Sequence, residues 1–385
     1  MDKSDLFWLP RIAFVHDRLY HMWGAEAVFF DLIKKKSKEN WRIFTLFSDK
    51  KELEVAGQKL EIVTALPHWI FVVFHYFEKH RTPILSKLFD YRNLMFFYPI
   101  LTWILRQKIV SYDPDEVVID SFAAARNVVP VAWWRAHTTI YFHSPMQYIR
   151  ANYHDNISKL KAPISRFYRL VTPLLRRRDC LPRHYDIVYS NSHYTAWTVS
   201  DLYKLSSTVR YPRISNIYED YIIEQAQDYY IFVGRMVIFL KELDRIVRLF
   251  NHNGKRLVMV WDGPDYEYLR SIAHDNIEFV GRITDLDRKM KLVWRARGFV
   301  NIARESFGMV TIEALCQWVP VFWLADWGSV ELVDEQSGIL VQNKSDASLI
   351  EAFERFDSKQ RDRQYIAQRA QWLIQQHQEK WQHWL

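Results

Sequence analysis

Glycine is scarce in this 385-residue chain: there are 10, against 16 tryptophans. Globular proteins ordinarily show the reverse balance. Cysteine is nearly missing too. Cys180 and Cys316 lie far apart and have neither CxxC nor metal-ligand spacing. That excludes a disulfide framework and leaves a reducing compartment as the default. Long apolar runs are absent. Ala65–Phe77 and Leu94–Leu105 each cover about a dozen residues, short of the roughly 20 that span a bilayer. The first run contains His68 and His75 and the second Pro99, so neither is expected to cross. Met1–Pro10 carries Asp2, Lys3 and Asp5 without an apolar core, and no signal peptide is expected. There is no low-complexity tract and no short fixed-period repeat.

What is present describes a globular protein: 49% hydrophobic and 25% charged residues. The length suits two domains better than one. A net charge of +7 and a pI near 9.1 favour anionic partners (nucleotides, acidic lipid headgroups, nucleic acid) without choosing among them.

Short apolar runs at Arg11–Val15, Trp41–Phe47, Glu116–Ile119, Thr139–Phe142 and Asp186–Ser190 read as buried strands. Segments with helical spacing, such as Ala25–Lys36, lie between them. The alternation restarts at Tyr230–Val233. It continues through Arg256–Val260, Ile277–Val280, Gly298–Ile302, Val319–Leu324 and Gly338–Val341. Helical stretches at Lys241–Asn251, Asp285–Arg297 and Ser348–Phe356 intervene. Such alternation predicts an α/β chain with two doubly wound parallel sheets. The expected division is an N-terminal domain over 1–205, a second over 206–360 and a C-terminal helical segment over 361–385.

Ligands of open parallel sheets bind beyond the carboxyl ends of strands. Gly234 and Arg235 follow one strand, with Lys241 six residues after Arg235. Asp262-Gly263-Pro264 and Gly281-Arg282 follow the next two. After Gly298–Ile302 comes Arg304-Glu305-Ser306-Phe307-Gly308-Met309-Val310-Thr311-Ile312-Glu313-Ala314. Glu305 falls in the loop and Phe307, Gly308 and Met309 open a helix. Its first-turn amides and dipole form an anion site. A diphosphate there, flanked by one carboxylate for a sugar and one for a ribose, fits the spacing. Arg235 and Lys241 suit charge-assisted phosphate contacts.

These motifs resemble glycosyltransferase family 4, of the GT-B architecture: two Rossmann-like domains facing a central cleft. Gly328-Ser329-x-Glu331 adds to the resemblance, as do His16-Asp17, Gly24-Ala25-Glu26 and His143-Ser144-Pro145-Met146. The last set is similar to mannosyltransferase-like members. The resemblance implies retaining hexosyl transfer from a nucleoside-diphosphate sugar, with no obligatory metal or other cofactor. It assigns Glu305 to the donor sugar, Glu313 to the ribose, and Arg235 and Lys241 to the leaving diphosphate. Backbone at Gly281, Arg282 and Ile283 holds the base, Gly24 approaches the diphosphate, and His143 stands near the sugar. Mannose from a guanine-nucleotide donor is the first expectation for the sugar. A cell-surface polysaccharide or lipid-linked glycan is the expected acceptor. No nucleic-acid partner is expected, and the place of action is the cytoplasm or the inner face of the cell membrane. A non-catalytic nucleotide-sugar or membrane-surface binder on the same fold is the alternative, and an epimerase of the same architecture fits the paired charges less well.

Several features have plainer readings. His16 and Asp17 serve equally well as a cap or a ligand contact, and His143 as a hydrogen-bonded core residue. Asp113-Pro114-Asp115 and Asp285-Leu286-Asp287 imitate a metal-binding DxD but read as turn and capping residues. Arg176-Arg177-Arg178 reads as a solvated cluster. The aromatic and basic segment 68–106 suits a membrane-grazing surface or ordinary core helices. Trp23, Trp261, Trp318 and Trp327 stand where the family pattern has glycine. A tryptophan forced to positive φ is strained by roughly 1–3 kcal/mol. Decoding of UGA as glycine in the host, with the sequence as written reading it as tryptophan, would account for all four; genuine divergence is the rival explanation.

Overall fold

The computed structural model describes residues 10–19, 24–34, 40–55, 58–79, 96–131, 134–150, 153–158, 162, 164–214 and 226–378. The chain divides into two compact units. One comprises residues 1–191 and 195–210; the other comprises 192–194 and 211–384.

The first unit is built on β1 (Arg11–His16), β2 (Asn40–Thr45), β3 (Glu52–Val55), β4 (Gln58–Thr64), β5 (Glu116–Ser121), β6 (His137–Phe142), β7 (Ile187–Ser190) and β8 (Thr208–Val209). Their order is β3-β4-β2-β1-β5-β6-β7-β8. All neighbours are parallel except the β3–β4 hairpin. The apolar-run reading passes over β3 and β4 because charged residues such as Glu52, Glu54, Lys59 and Glu61 alternate with their apolar ones. Between strands lie α1 (Gly24–Lys34), α2 (His68–Lys79), α3 (Tyr98–Tyr112), α4 (Tyr153–Ser158), α5 (Ile164–Asp179) and α6 (His193–Tyr203). The core joins the sheet residues Val15, Phe44, Ile119 and Phe142 to Leu101, Leu105 and Ile109 of α3.

The second unit has β9 (Tyr230–Val233), β10 (Leu257–Val260), β11 (Ile277–Gly281), β12 (Gly298–Val300), β13 (Val321–Leu324) and β14 (Gly338–Val341). Their order, β11-β10-β9-β12-β13-β14, is parallel throughout and reverses between β9 and β12. Its helices are α7 (Ile238–Lys241), α8 (Leu243–Asn253), α9 (Tyr266–Ile272), α10 (Leu286–Trp294), α11 (Met309–Cys316), α12 (Ser329–Leu332), α13 (Asp346–Ser358) and α14 (Arg363–Gln378). The inner strands β9, β10, β12 and β13 are buried along their length, as a sheet covered on both faces requires. α14 buries Ile366, Ala370 and Ile374, and Arg363 donates to the carbonyls of Trp294, Ala296 and Trp318.

One helix differs from its expected course. The stretch predicted as continuous over Lys241–Asn251 is broken by Glu242 at φ 50°, so Lys241 ends the short α7 instead of opening a long helix. The DxD look-alikes are the turn and capping residues predicted. Asp113 follows α3 in a left-handed conformation, Asp115 accepts from the Arg11 amide at 2.8 Å, and Asp285 caps α10. The basic run of α5 needs correction: Arg176 and Arg178 donate to the carbonyls of Ile149 and Pro99, and only Arg177 is fully exposed.

Candidate functional site

In the second unit the strand order reverses beside β9 and β12, and a crevice opens beyond the carboxyl ends at such a point. The two segments leaving those strands carry the predicted charges. After β9 come Gly234 and Arg235. The Met236 amide donates to Asp262 O at 2.9 Å, and the Asp265 carboxylate accepts from the Ile238 amide at 2.8 Å. These bonds fix the loop that delivers Lys241.

After β12, Asn301 accepts from the Ala303 amide at 3.0 Å, and Arg304 pairs with Asp326 at 2.7 Å. Glu305 then meets Lys241 in an ion pair in which both side chains are about one-fifth to one-quarter exposed. Two residues expected to share a ligand are thus brought together. Sequence reasoning missed Asn301 and Asp326. A polar residue directly after a wholly apolar strand was the available signal for Asn301.

Gly308 caps α11 at φ 98°, and a Cβ there would lie 2.2 Å from the Trp323 indole. Gly328 packs so closely that a Cβ would lie 2.4 Å from Ser306 O, while its amide donates to Glu305 O at 3.0 Å. Only glycine fits these contacts. They set the loop from Glu305 to Phe307 ahead of Met309 and the first turn of α11, whose amides lack partners within the helix. Phe307 is buried against Tyr211, with ring centroids 4.9 Å apart. Glu313 lies further along α11, and burial raises its carboxyl above the ordinary value against the opposing charge of Lys289. Gly281 ends β11 at φ 69°, Ile283 is buried, and Arg282 lies over the Trp261 ring at 5.3 Å. Glu331 is satisfied within the protein: it accepts from the amides of His193 and Tyr194 and from the Tyr211 hydroxyl.

In the first unit the order reverses between β1 and β5. His16 ends β1, Asp120 lies opposite it on β5, and His143 follows β6. The wholly buried Asp120 carboxylate is 3.0 Å from His16 Nδ1 and 2.5 Å from His143 Nε2. Burial alone would raise that carboxyl; His143 and His16 outweigh it and hold it below its ordinary value. Burial lowers His16, and the hydrogen bond and charge of Asp120 reverse this into a net rise. Asp120 was missed in the sequence because the apolar run ends one residue earlier, at Ile119. Asp17 is a structural cap: its two oxygens accept from the amides of Phe122, Ala123, Ala124 and Ala125 at 2.5–2.8 Å. Gly24 opens α1. Trp23 lies outside the described residues.

Residues 227–357 match the family described as Glycosyl transferases group 1. No curated protein matches the chain in sequence. Solved structures match along nearly the whole length. Sucrose-phosphate synthase from Thermosynechococcus elongatus is 16% identical, with a TM-score of 0.65 over 97% of this chain and 98% of that one. HepE from Anabaena, in complex with UDP and glucose, is 15% identical, with a TM-score of 0.59 over 96% and 95%. WaaG, a glycosyltransferase involved in lipopolysaccharide biosynthesis, is 14% identical, with a TM-score of 0.57 over 94% and 95%. The fold is therefore GT-B, and the family match falls within the second unit.

Proposed function

We propose that the protein is a glycosyltransferase that moves a hexose from a nucleoside-diphosphate sugar to an acceptor hydroxyl, with retention at the anomeric carbon. The observation that carries this is the Lys241–Glu305 pair, set beside the start of α11 at the strand-order reversal of the second unit. In transfer, the bond from the anomeric carbon to the diphosphate oxygen breaks and negative charge builds on the leaving group. Lys241, Arg235 and the α11 amides supply positive potential for that charge. Glu305 accepts from the sugar hydroxyls, Glu313 from the ribose, and the backbone from Gly281 to Ile283 takes the base. His143, backed by Asp120, is assigned to the transferred sugar.

Mannose from a guanine-nucleotide donor follows from His143-Ser144-Pro145-Met146, while the UDP and glucose of the HepE complex make a uridine-linked glucose the first competitor. The acceptor assigned is a cell-surface polysaccharide or lipid-linked glycan. No helix among the described residues is long and apolar enough to cross a membrane. Peripheral contact rests on exposed Trp69 and Tyr76 of α2, Ile100 and Trp103 of α3, and Leu170 and Leu174 of the basic helix α5. Residues 80–95 of the aromatic segment lie outside the described residues.

The test is a donor panel including GDP-mannose and UDP-glucose, read as release of nucleoside diphosphate with and without acceptor glycans. Release from one donor, abolished in Glu305→Ala, is expected. No release from any donor would leave a non-catalytic binder of the same ligands, and release that ignores Glu305→Ala would remove Glu305 from the proposed site.

A further inference from the structure

Of the 16 tryptophans, Trp8, Trp23, Trp133, Trp381 and Trp384 lie outside the described residues. Among the others, three have positive φ: Trp261 at 114°, Trp318 at 69° and Trp327 at 57°. These are the three described members of the set that stands at glycine positions in the family pattern. None of the remaining tryptophans shares that backbone. Positive φ is rare outside glycine, and a bulky side chain there is an outlier. Chance placement does not pick out the same three residues by pattern and by backbone.

The local structures say why glycine belongs there. Trp318 lies just past α11. Its amide donates to Leu315 O at 3.0 Å and the Val319 amide donates to Ala314 O at 3.1 Å. This pair of bonds is the Schellman helix ending, whose left-handed residue is usually glycine. Trp261 follows β10 and donates to Gly281 O at 2.8 Å, with a φ well beyond the left-handed helical region. Trp327 precedes the close-packed Gly328, and its indole stacks on Tyr194 with centroids 5.0 Å apart. All three indoles are partly exposed and fill no core position. Trp41 behaves as an ordinary tryptophan: it is buried in β2 with its ring edge-on to Phe14.

We infer that residues 261, 318 and 327, and by the same pattern 23, are glycine in the protein made by its host, through UGA codons decoded as glycine. UGA differs by one base from the glycine codon GGA and by one from the tryptophan codon UGG. A single decoding rule therefore turns several glycines into tryptophans at once, where divergence needs a separate strained substitution at each site. The inference is independent of the proposed activity, because it rests on the glycine pattern, backbone conformation and the helix ending.

The test reads the codons at 261, 318 and 327 and sequences the corresponding peptides from host-made protein by mass spectrometry. UGA with glycine in the peptides is expected. UGG at any of the three, or tryptophan in the host peptides, overturns the inference at that site. A second arm compares the chain as written with its W261G/W318G/W327G variant in thermal unfolding. Relief of three strained residues raises Tm by about 5–10 °C, while the control Trp41→Gly lowers it. An unchanged or lower Tm in the triple variant overturns the strain argument.

Discussion

Asp17 and Asp120 of the first unit and Glu305 of the second all follow or end a parallel strand where the strand order reverses, yet they are treated oppositely. The two aspartates are sealed inside, one holding four backbone amides and the other two imidazoles. Glu305 sits partly exposed against a flexible lysine. A buried acid with fixed partners cannot exchange them for a ligand without a large desolvation cost. A pair that still reaches solvent contributes less to folding and gives up its partner more readily. The same topological position thus seals its acids against fixed partners in one unit and, under the proposed function, leaves Glu305 able to exchange its partner for a ligand in the other.

The largest expected effect breaks the second half of that contrast. Glu305→Gln lowers nucleoside-diphosphate release by about 10²–10³-fold, the scale of losing one polar contact to a transition state. Folding stability shifts by less than about 1 kcal/mol. A matching loss of stability in urea titrations would show that Glu305 belongs with the structural acids instead.

Next in size is Asp17→Ala, which strands several buried amides and costs about 3 kcal/mol of folding stability in urea. A cost below 1 kcal/mol would mean that water or a rearranged loop takes over the cap.

Asp120→Asn is smaller, about 2 kcal/mol, because the amide oxygen of asparagine can still accept from one imidazole. Its signature is the pH dependence. The folded Asp120 carboxyl lies below its ordinary 3.8, so its contribution is present above that value and fades as pH falls through and below it. The folded His16 lies above its ordinary 6.5, so its contribution is present below 6.5 and is lost as pH rises through the raised value. The wild-type advantage over Asp120→Asn is therefore greatest between 3.8 and 6.5. A difference that stays flat with pH would remove the charge from the explanation.

The two units differed in how readable they were. In the second, strands are continuous apolar runs and the candidate residues come in the segments after them, so Arg235, Lys241, Glu305 and Glu313 stood out by spacing. The break at Glu242 did not, because nothing in the local sequence marks a left-handed residue there. In the first unit, the polar cluster is made by lateral strand pairing. Asp120 meets His16 and His143 from more than a hundred and about twenty residues away, a proximity no local pattern encodes. Asp179, Arg126 and Arg150 form a second buried ionic group by the same route, with Arg126 against the Tyr203 ring at 3.6 Å. The strained tryptophans were legible only by comparison with a glycine pattern.

The finest comparison lies within the second unit. α8 is followed by Gly254 at φ 68° and α11 by Trp318 at φ 69°, so two helix ends share a left-handed φ and differ in side chain. A Cβ at 254 would meet nothing within 4 Å, so the cost of adding one is conformational alone. Gly254→Ala therefore measures that cost directly, at about 1 kcal/mol of lost stability. Trp318→Gly should return a similar amount, about 1 kcal/mol with the opposite sign, reduced by whatever packing the partly exposed indole supplies. Urea unfolding of the two variants, beside the parent chain, reads both. Opposite signs of similar size show that the left-handed site at 318 is built for glycine. A loss in both would mean that the indole's contacts outweigh its strain, and that the end of α11 has adapted to tryptophan.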